Sequence, residues 1–415
     1  MKSFHRSVTL AAAIVLAAGT RAATASPTHP PTMNSTYTKG QYGFDLQFLQ
    51  QHLKPVELSN GDARVLIAPE YQGRVMTSSA SGGNGFSFGW INRPLIESGK
   101  PQPHINAYGG EERLWFGPEG GQFSIFFAKD AAFDLAHWQT PACLDTEAFQ
   151  TDAADARTAS FSKHAKLTNY SGFTFEVAVT RKISLLSPAE IAAKLDLELP
   201  AGLHMVAYET DNRVQNTGKL PWAKETGALS IWLLGMMNPS PEVTVVIPYQ
   251  KGDLGTILKD DYFGKVPADR LKISEAAVFF KADGKCRSKI GIPPKRALPT
   301  FGSYDAANKV LTIVETTLDP STTDFVNSAW EIQQDPFSGD VINSYNDGPL
   351  ADGTQMGPFY ELESSSKAGF LQPGETLRHV QRTFHFEGDA AALTQIAGKK
   401  LGVSLADIQA VFATK

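Results

Sequence analysis

Residues 173–180 alternate: Phe173, Phe175, Val177 and Val179 interleave with Thr174, Glu176, Ala178 and Thr180. A two-residue period fits a strand, whose successive side chains point to opposite faces, and it commits one face to a core. The pattern recurs. Residues 243–247 form a β-branched run closed by Pro248, and residues 310–317 follow a turn at 305–308. Residues 376–386 alternate Arg378, Val380, Arg382, Phe384 and Phe386 with His379, Thr383 and His385. Residues 278–280 and 288–292 flank Asp283-Gly284, a dipeptide that tolerates positive φ, and read as a hairpin.

Helix signals are sparse. Ser187-Pro188-Ala189-Glu190 combines an N-cap, a first-turn proline and a capping-box glutamate ahead of Ile191 and Leu195. Residues 390–400 and 404–412 read as two short helices, the second capped by Ser404 with Asp407 at the box position. No internal repeat and no linker-like stretch divides the chain after its N-terminus. Many short strands with few helices predict an all-β fold, one large antiparallel assembly.

Composition narrows the classes further. The chain is 42% hydrophobic and 20% charged, which suits a packed core and excludes a disordered chain. A net charge of −5 supplies no basic field for nucleic acid. Two cysteines in 415 residues exclude a disulfide-dense scaffold. Cys143 and Cys286 sit in no CxxC, and neither lies beside a histidine, so both read as structural residues, buried or bridged.

Lys2, His5 and Arg6 precede an apolar stretch over residues 8–18, and Ala23-Thr24-Ala25 is a small-residue cleavage site. Residues 1–25 therefore read as a secretory signal peptide, its apolar stretch too short to span a bilayer. Cleavage after Ala25 removes Lys2, Arg6 and Arg21 and no acid, which takes the net charge to −8. The expected product is secreted or periplasmic, with no membrane insertion. Residues 26–42, rich in Pro, Thr and Ser, read as a flexible lead-in, 43–388 as one β domain, and 389–415 as C-terminal short helices.

Three segments carry candidate chemistry. In residues 106–121, paired glycines flank Glu111, Glu112, Arg113, Trp115 and Phe116. Paired glycines let a backbone turn sharply and approach a ligand closely. A sugar site needs aromatic faces for C–H surfaces and charged groups for hydroxyls. The same residues also suit a tight turn with a Glu–Arg ion pair and a core tryptophan. Residues 343–349 hold Asn343, Tyr345, Asn346 and Asp347 in a sequence that also serves turns. In residues 357–366, a strand over 359–363 places Glu361 and Glu363 on one face. Neighbouring carboxylates repel, which raises the pKa of at least one and suits general acid or base work. Arg378 or Arg382 is the candidate cation facing them, and two solvated glutamates are the plainer alternative. His104, His137 and His204 lie in no metal-ligand spacing, and no GxSxG elbow occurs, so neither a metal nor a cofactor is expected.

Tyr360-Glu361-Leu362-Glu363, followed by Leu371-x-Pro373-Gly374-Glu375 and a last strand, resembles the end of galactose-mutarotase-like (aldose 1-epimerase) proteins. Pro69 to Val75, Asn92-Arg93-Pro94 with Tyr108-Gly109-Gly110-Glu111, and Asn216-Thr217-Gly218 resemble earlier motifs of that superfamily in the same order. The resemblance implies a β-supersandwich that binds a carbohydrate, with Glu361 as catalytic base and Glu363 as its tuning partner. On this reading Glu112 and Arg113 are expected to hold hydroxyls, Trp115 to stack, and Asn343, Asp347 and Arg382 to complete the site. One departure stands out: residues 226–237, after Asn216-Thr217-Gly218, lack the histidine that serves as acid in mutarotases. The acid would then come from His104, Arg113 or His379. The chain resembles an exported branch distinct from true aldose epimerases. Two other readings stay open, a non-catalytic glycan-binding or structural module and a polysaccharide lyase-like enzyme using Tyr345 and Arg382. Glu361, Glu363, Glu112 and Arg113 are expected to converge on one cleft.

Overall fold

The computed structural model describes residues 36–413, so the segment read as a signal peptide and the cleavage site at Ala25 lie outside the described residues. Helix α1 (Tyr42–His52) precedes β1 (Val56–Asn60), β2 (Ala63–Ala68) and β3 (Arg74–Ser79), a three-stranded antiparallel sheet. Next come α2 (Arg93–Ser98), β4 (Arg113–Gly117) and α3 (Ala142–Asp145). A meander of β5 (Gln150–Ala154), β6 (Thr158–Thr168) and β7 (Thr174–Leu185) follows, and α4 (Pro188–Leu195) leads into β8 (His204–Asn216). The chain continues through β9 (Ser230–Met237), β10 (Val243–Pro248), β11 (Leu271–Ile273), β12 (Ala277–Lys281), β13 (Ser288–Ile292), β14 (Thr300–Asp305) and β15 (Val310–Thr316). It closes with β16 (Ile342–Asn346), β17 (Tyr360–Ser365), β18 (Thr376–Glu387), α5 (Ala390–Leu401) and α6 (Leu405–Ala410).

Two large antiparallel sheets dominate. One has ten strands in the order β11-β12-β10-β14-β15-β18-β8-β7-β6-β5, and the other has five, β13-β16-β17-β9-β4. This is the all-β, large-sheet architecture that the alternating pattern implies. Phe175, Val177 and Val179 on β7 pack in one core with Leu114 and Phe116 on β4 and Ile231 and Leu233 on β9. A second core joins Val245 and Phe280 of the ten-stranded sheet to Ile290, Ile342 and Leu362 of the five-stranded one. Elsewhere on the ten-stranded sheet, Ile313, Phe384 and Phe386 are covered by Ile191, Ile396, Leu401 and Ile408 of the helices. Each such side chain, fully buried, contributes about 1.5–3 kcal/mol.

Local signals held where they concern caps. The Ser187 side chain accepts from the Glu190 amide and Glu190 reaches back to the Ser187 amide, and Ser404 and Asp407 do the same. The hairpin at Asp283-Gly284 does not form. Strand β12 pairs with β10 and β11, whereas β13 pairs with β16 in the other sheet. Asp283 is held 2.8 Å from Arg270, and Gly284 at φ +69° turns the chain from one sheet to the next. Helices α1, α2 and α3 carried no signal read in the sequence. Both cysteines are free. Among the described residues, no helix is long and apolar enough to cross a membrane.

His379 on β18 is buried, with Nε2 at 2.8 Å from Ser364 Oγ and 3.0 Å from Thr316 Oγ1. Burial pushes its pKa from 6.5 down to about 3. Below the ordinary value the unfolded chain takes up a proton that the folded chain refuses. Stability is therefore fully present above 6.5 and is lost as pH falls toward 3, by about 1.4 kcal/mol per pH unit. His379→Gln should flatten the acid side of a curve of Tm against pH. Parallel curves for the two proteins would remove His379 from the account of acid instability.

Candidate functional site

The five-stranded sheet sorts its side chains by parity. On β4, Leu114 and Phe116 enter the core, while Arg113 and Trp115 line a cavity of about 960 Å³. On β9, Ile231 and Leu233 go inward, and Trp232 and Leu234 line the cavity. Lys289 on β13, Asn343 and Tyr345 on β16, and Glu361 on β17 belong to the same outer face. Register completes the pattern: Trp115 stands opposite Trp232, Glu361 opposite Tyr345, and Glu363 opposite both Asn343 and Leu234.

Two cations meet the two glutamates. Arg113 Nη2 lies 2.7 Å from Glu361 Oε1, and Lys289 Nζ lies 2.9 Å from Glu363 Oε2. Trp232 Nε1 donates to the same Glu363 oxygen at 2.9 Å. The Arg113 guanidinium sits 4.3 Å from the Trp115 ring centre, and Lys289 Nζ sits 5.0 Å from that of Trp232. Each cation thus touches an aromatic face and a carboxylate at once, an arrangement that favours charge in a desolvated place. Farther along the wall, Asn343 Nδ2 donates to Tyr262 Oη at 3.1 Å, Tyr262 donates to Asp340, and Tyr345 donates to Asp347 at 2.9 Å.

Burial pushes the Glu361 carboxyl up to about 7; the neighbouring charge of Glu363 adds to the rise and Arg113 opposes it. Glu119, on the loop after β4, also stands at about 7, raised by burial and by Glu363 against the pull of Lys289 and Arg113. For Lys289, burial works against the charged form, but Glu363 and Glu361 outweigh it and raise the pKa. Two carboxyls that titrate near neutrality therefore share one cavity. No group of three or more His, Cys, Asp or Glu side chains among the described residues is placed to hold a metal ion.

Of the residues singled out in the sequence, Arg113, Trp115, Asn343, Asp347 and Glu361 line the cavity. Glu363 lies against Trp232 and Lys289 beside them. Glu112 points the other way. It is fully buried, 2.9 Å from Arg181 and accepting from Gln381 at 2.8 Å, because its neighbour Arg113 takes the outward phase of the chain. His104 is outside the lining, with Nδ1 2.7 Å from the Trp138 carbonyl oxygen. Arg382 is on the ten-stranded sheet, 2.6 Å from Glu209, and Arg378 pairs with Asp211 there. The lyase-like pairing of Tyr345 with Arg382 is therefore not assembled in this cavity. Lys289, Glu119, Trp232, Trp138 and Trp330 line it without having been singled out for the site. A signal existed for Lys289, the one charge in Ser288-Lys289-Ile290-Gly291-Ile292.

The chain belongs to a family of unknown function, DUF6786, whose match spans residues 40–412. Its fold is similar to that of Slr1438 from Synechocystis sp. PCC 6803, with TM-score 0.50 at 10% identity over 81% of this chain and 96% of the other. It is also similar to a candidate aldose 1-epimerase from Escherichia coli K12, at TM-score 0.48 and 12% identity over 81% and 99% of the two chains. A galactose mutarotase-like protein from Lactobacillus casei ATCC 334 gives TM-score 0.43 and 10% identity over 80% and 100%. No curated protein matches the sequence.

The Arg113–Glu361 pair makes a testable energetic claim, since both side chains are only 6% exposed. Removing one partner of a buried pair costs about 3–5 kcal/mol, whereas removing both costs far less. In urea unfolding, Arg113→Met should be strongly destabilising, and Arg113→Met with Glu361→Gln should recover much of the loss. Additive losses would mean that the pair is not energetically coupled.

Proposed function

We propose that this protein is an exported carbohydrate-binding protein that acts at the anomeric centre of a sugar, with Glu361 as the base. The observation that carries the reading is Glu361, held by Arg113 in a cavity walled by Trp115 and Trp232. Indole faces suit the C–H surfaces of a sugar ring. Arg113, Lys289, Asn343 and Asp347 on the same lining supply polar groups for hydroxyls. The resemblance of the Tyr360-Glu361-Leu362-Glu363 segment to galactose-mutarotase-like proteins supports the same reading. Export rests on the basic start, apolar stretch and Ala23-Thr24-Ala25 site at the N-terminus.

As a base, Glu361 takes the proton of the anomeric hydroxyl. Its raised pKa sets the sign: the carboxylate that accepts a proton becomes populated as pH rises through about 7. A second reading has its own support. Both glutamates are ion-paired, and no histidine lines the cavity among the described residues, so the protein could hold a glycan without turning it over.

Polarimetry and calorimetry on a panel of free aldoses separate the two. Glu361→Gln should slow turnover by about 10²–10⁴-fold with little change in Kd, because the amide keeps shape but cannot take the proton. Trp115→Ala, checked for an unchanged fold, should instead weaken binding. Heat of binding without accelerated mutarotation selects the non-catalytic module, and neither heat nor acceleration ends the sugar reading.

A further inference from the structure

Acid–base chemistry at an anomeric centre needs two groups, and the cavity offers no histidine for the second, among the described residues. Of the other carboxyls on the lining, Asp340 accepts from Tyr262 and Asp347 from Tyr345, and Glu119 is the one that the loop after β4 delivers to this wall. Its placement is built in detail. The Glu119 amide donates to Ser328 Oγ at 3.1 Å, and the Glu119 carbonyl accepts from Ser124. Gln122 and Gln333 exchange two hydrogen bonds, of 2.9 and 3.0 Å, between the loop that holds Glu119 and the segment that holds Trp330. Gly120 permits this approach, because a Cβ there would lie 2.3 Å from the Ala329 carbonyl oxygen. Backbone at 117–122 is thereby clamped against 328–333, which brings Trp330 to the same cavity wall as Glu119. The Gly-Pro-Glu-Gly-Gly run in residues 117–121 thus sets one carboxyl on the cavity wall.

We infer that Glu119 is the catalytic acid that works with Glu361, in the role for which mutarotase-like proteins use a histidine. The inference rests on the sugar reading above. In the ring-opening step, the anomeric O–H gives its proton to Glu361, C1=O forms, and the bond from C1 to the ring oxygen breaks. That oxygen takes the proton of Glu119. Closure on the other face of C1 returns both protons to their starting oxygens, so nothing else is consumed. The charges that act on Glu119 are Lys289 and Arg113, which favour its ionised form, and Glu363, which disfavours it. Burial tips the balance, leaving the carboxyl near neutrality at about 7 and able to donate.

The two roles predict a bell-shaped dependence of kcat/KM on pH, with the acid limb belonging to Glu361 and the alkaline limb to Glu119. Glu119→Gln should lower kcat by about 10²–10⁴-fold, leave sugar Kd nearly unchanged, and abolish the alkaline limb. Glu119→Asp should restore part of the rate. The Trp330 indole N–H acts to lower the Glu119 pKa, so Trp330→Phe should move the alkaline limb to higher pH even if Glu119→Gln folds poorly. An active wild type whose Glu119→Gln variant keeps its rate and both limbs overturns the role of Glu119 alone. A Trp330→Phe profile that coincides with the wild type does the same. A wild type inactive on every aldose overturns this role together with the sugar reading.

Discussion

The Glu112–Arg181 ion pair, at 2.9 Å and with neither side chain exposed, is the contact on which the cavity depends. Arg181 comes from the ten-stranded sheet, and it also donates to the Gly73 carbonyl at 2.9 Å and to Asn212 Oδ1 at 2.6 Å. Glu112 stands directly before the edge strand of the five-stranded sheet, and Gln381 from the ten-stranded sheet donates to its other oxygen. A pair so fully desolvated is costly to break, because either partner alone would be an uncompensated charge in the core. The contact therefore fixes the phase of strand β4. With Glu112 turned inward, Arg113 is turned outward, and it is Arg113 that receives Glu361.

A polar floor on a β-sheet is usually solvated, yet here it lies under aromatic walls. Desolvation has two effects on the same groups. It strengthens the attractions of Arg113 and Lys289 for their carboxylates, and it raises the pKa of carboxyls that those cations do not fully compensate. Glu361 and Glu119 end near 7 for this reason. The pairing that holds the wall together and the protonation that would serve chemistry are thus set by one environment.

Much of this was legible along the chain, and the residues show why. The period of two in residues 359–363 requires Glu361 and Glu363 to share a face wherever the strand sits, and the capping boxes at Ser187 and Ser404 need only their own helix. Longer-range features were not. Arg378 and Arg382 lie close to the glutamates in sequence but on the other sheet, where they pair with Asp211 and Glu209. Lys289, which does meet Glu363, is 74 positions away from it. Asp283-Gly284 has the local chemistry of a hairpin, but local chemistry cannot say whether the flanking strands join one sheet or two.

The sequence by itself determined the class of fold, through alternation and through turn and cap residues whose energetics are local. It also determined that Glu361 and Glu363 share one face, since side-chain direction along a strand is a property of the backbone. Only the tertiary structure decided which cations face them, that Glu112 belongs to the core and Arg113 to the cavity, and that Glu119 joins from across the wall. The physical reason is that desolvation and ion pairing act through space. A carboxyl's neighbours, and with them its pKa, follow from how two sheets and two loops pack and from nothing that neighbouring residues in the chain can specify.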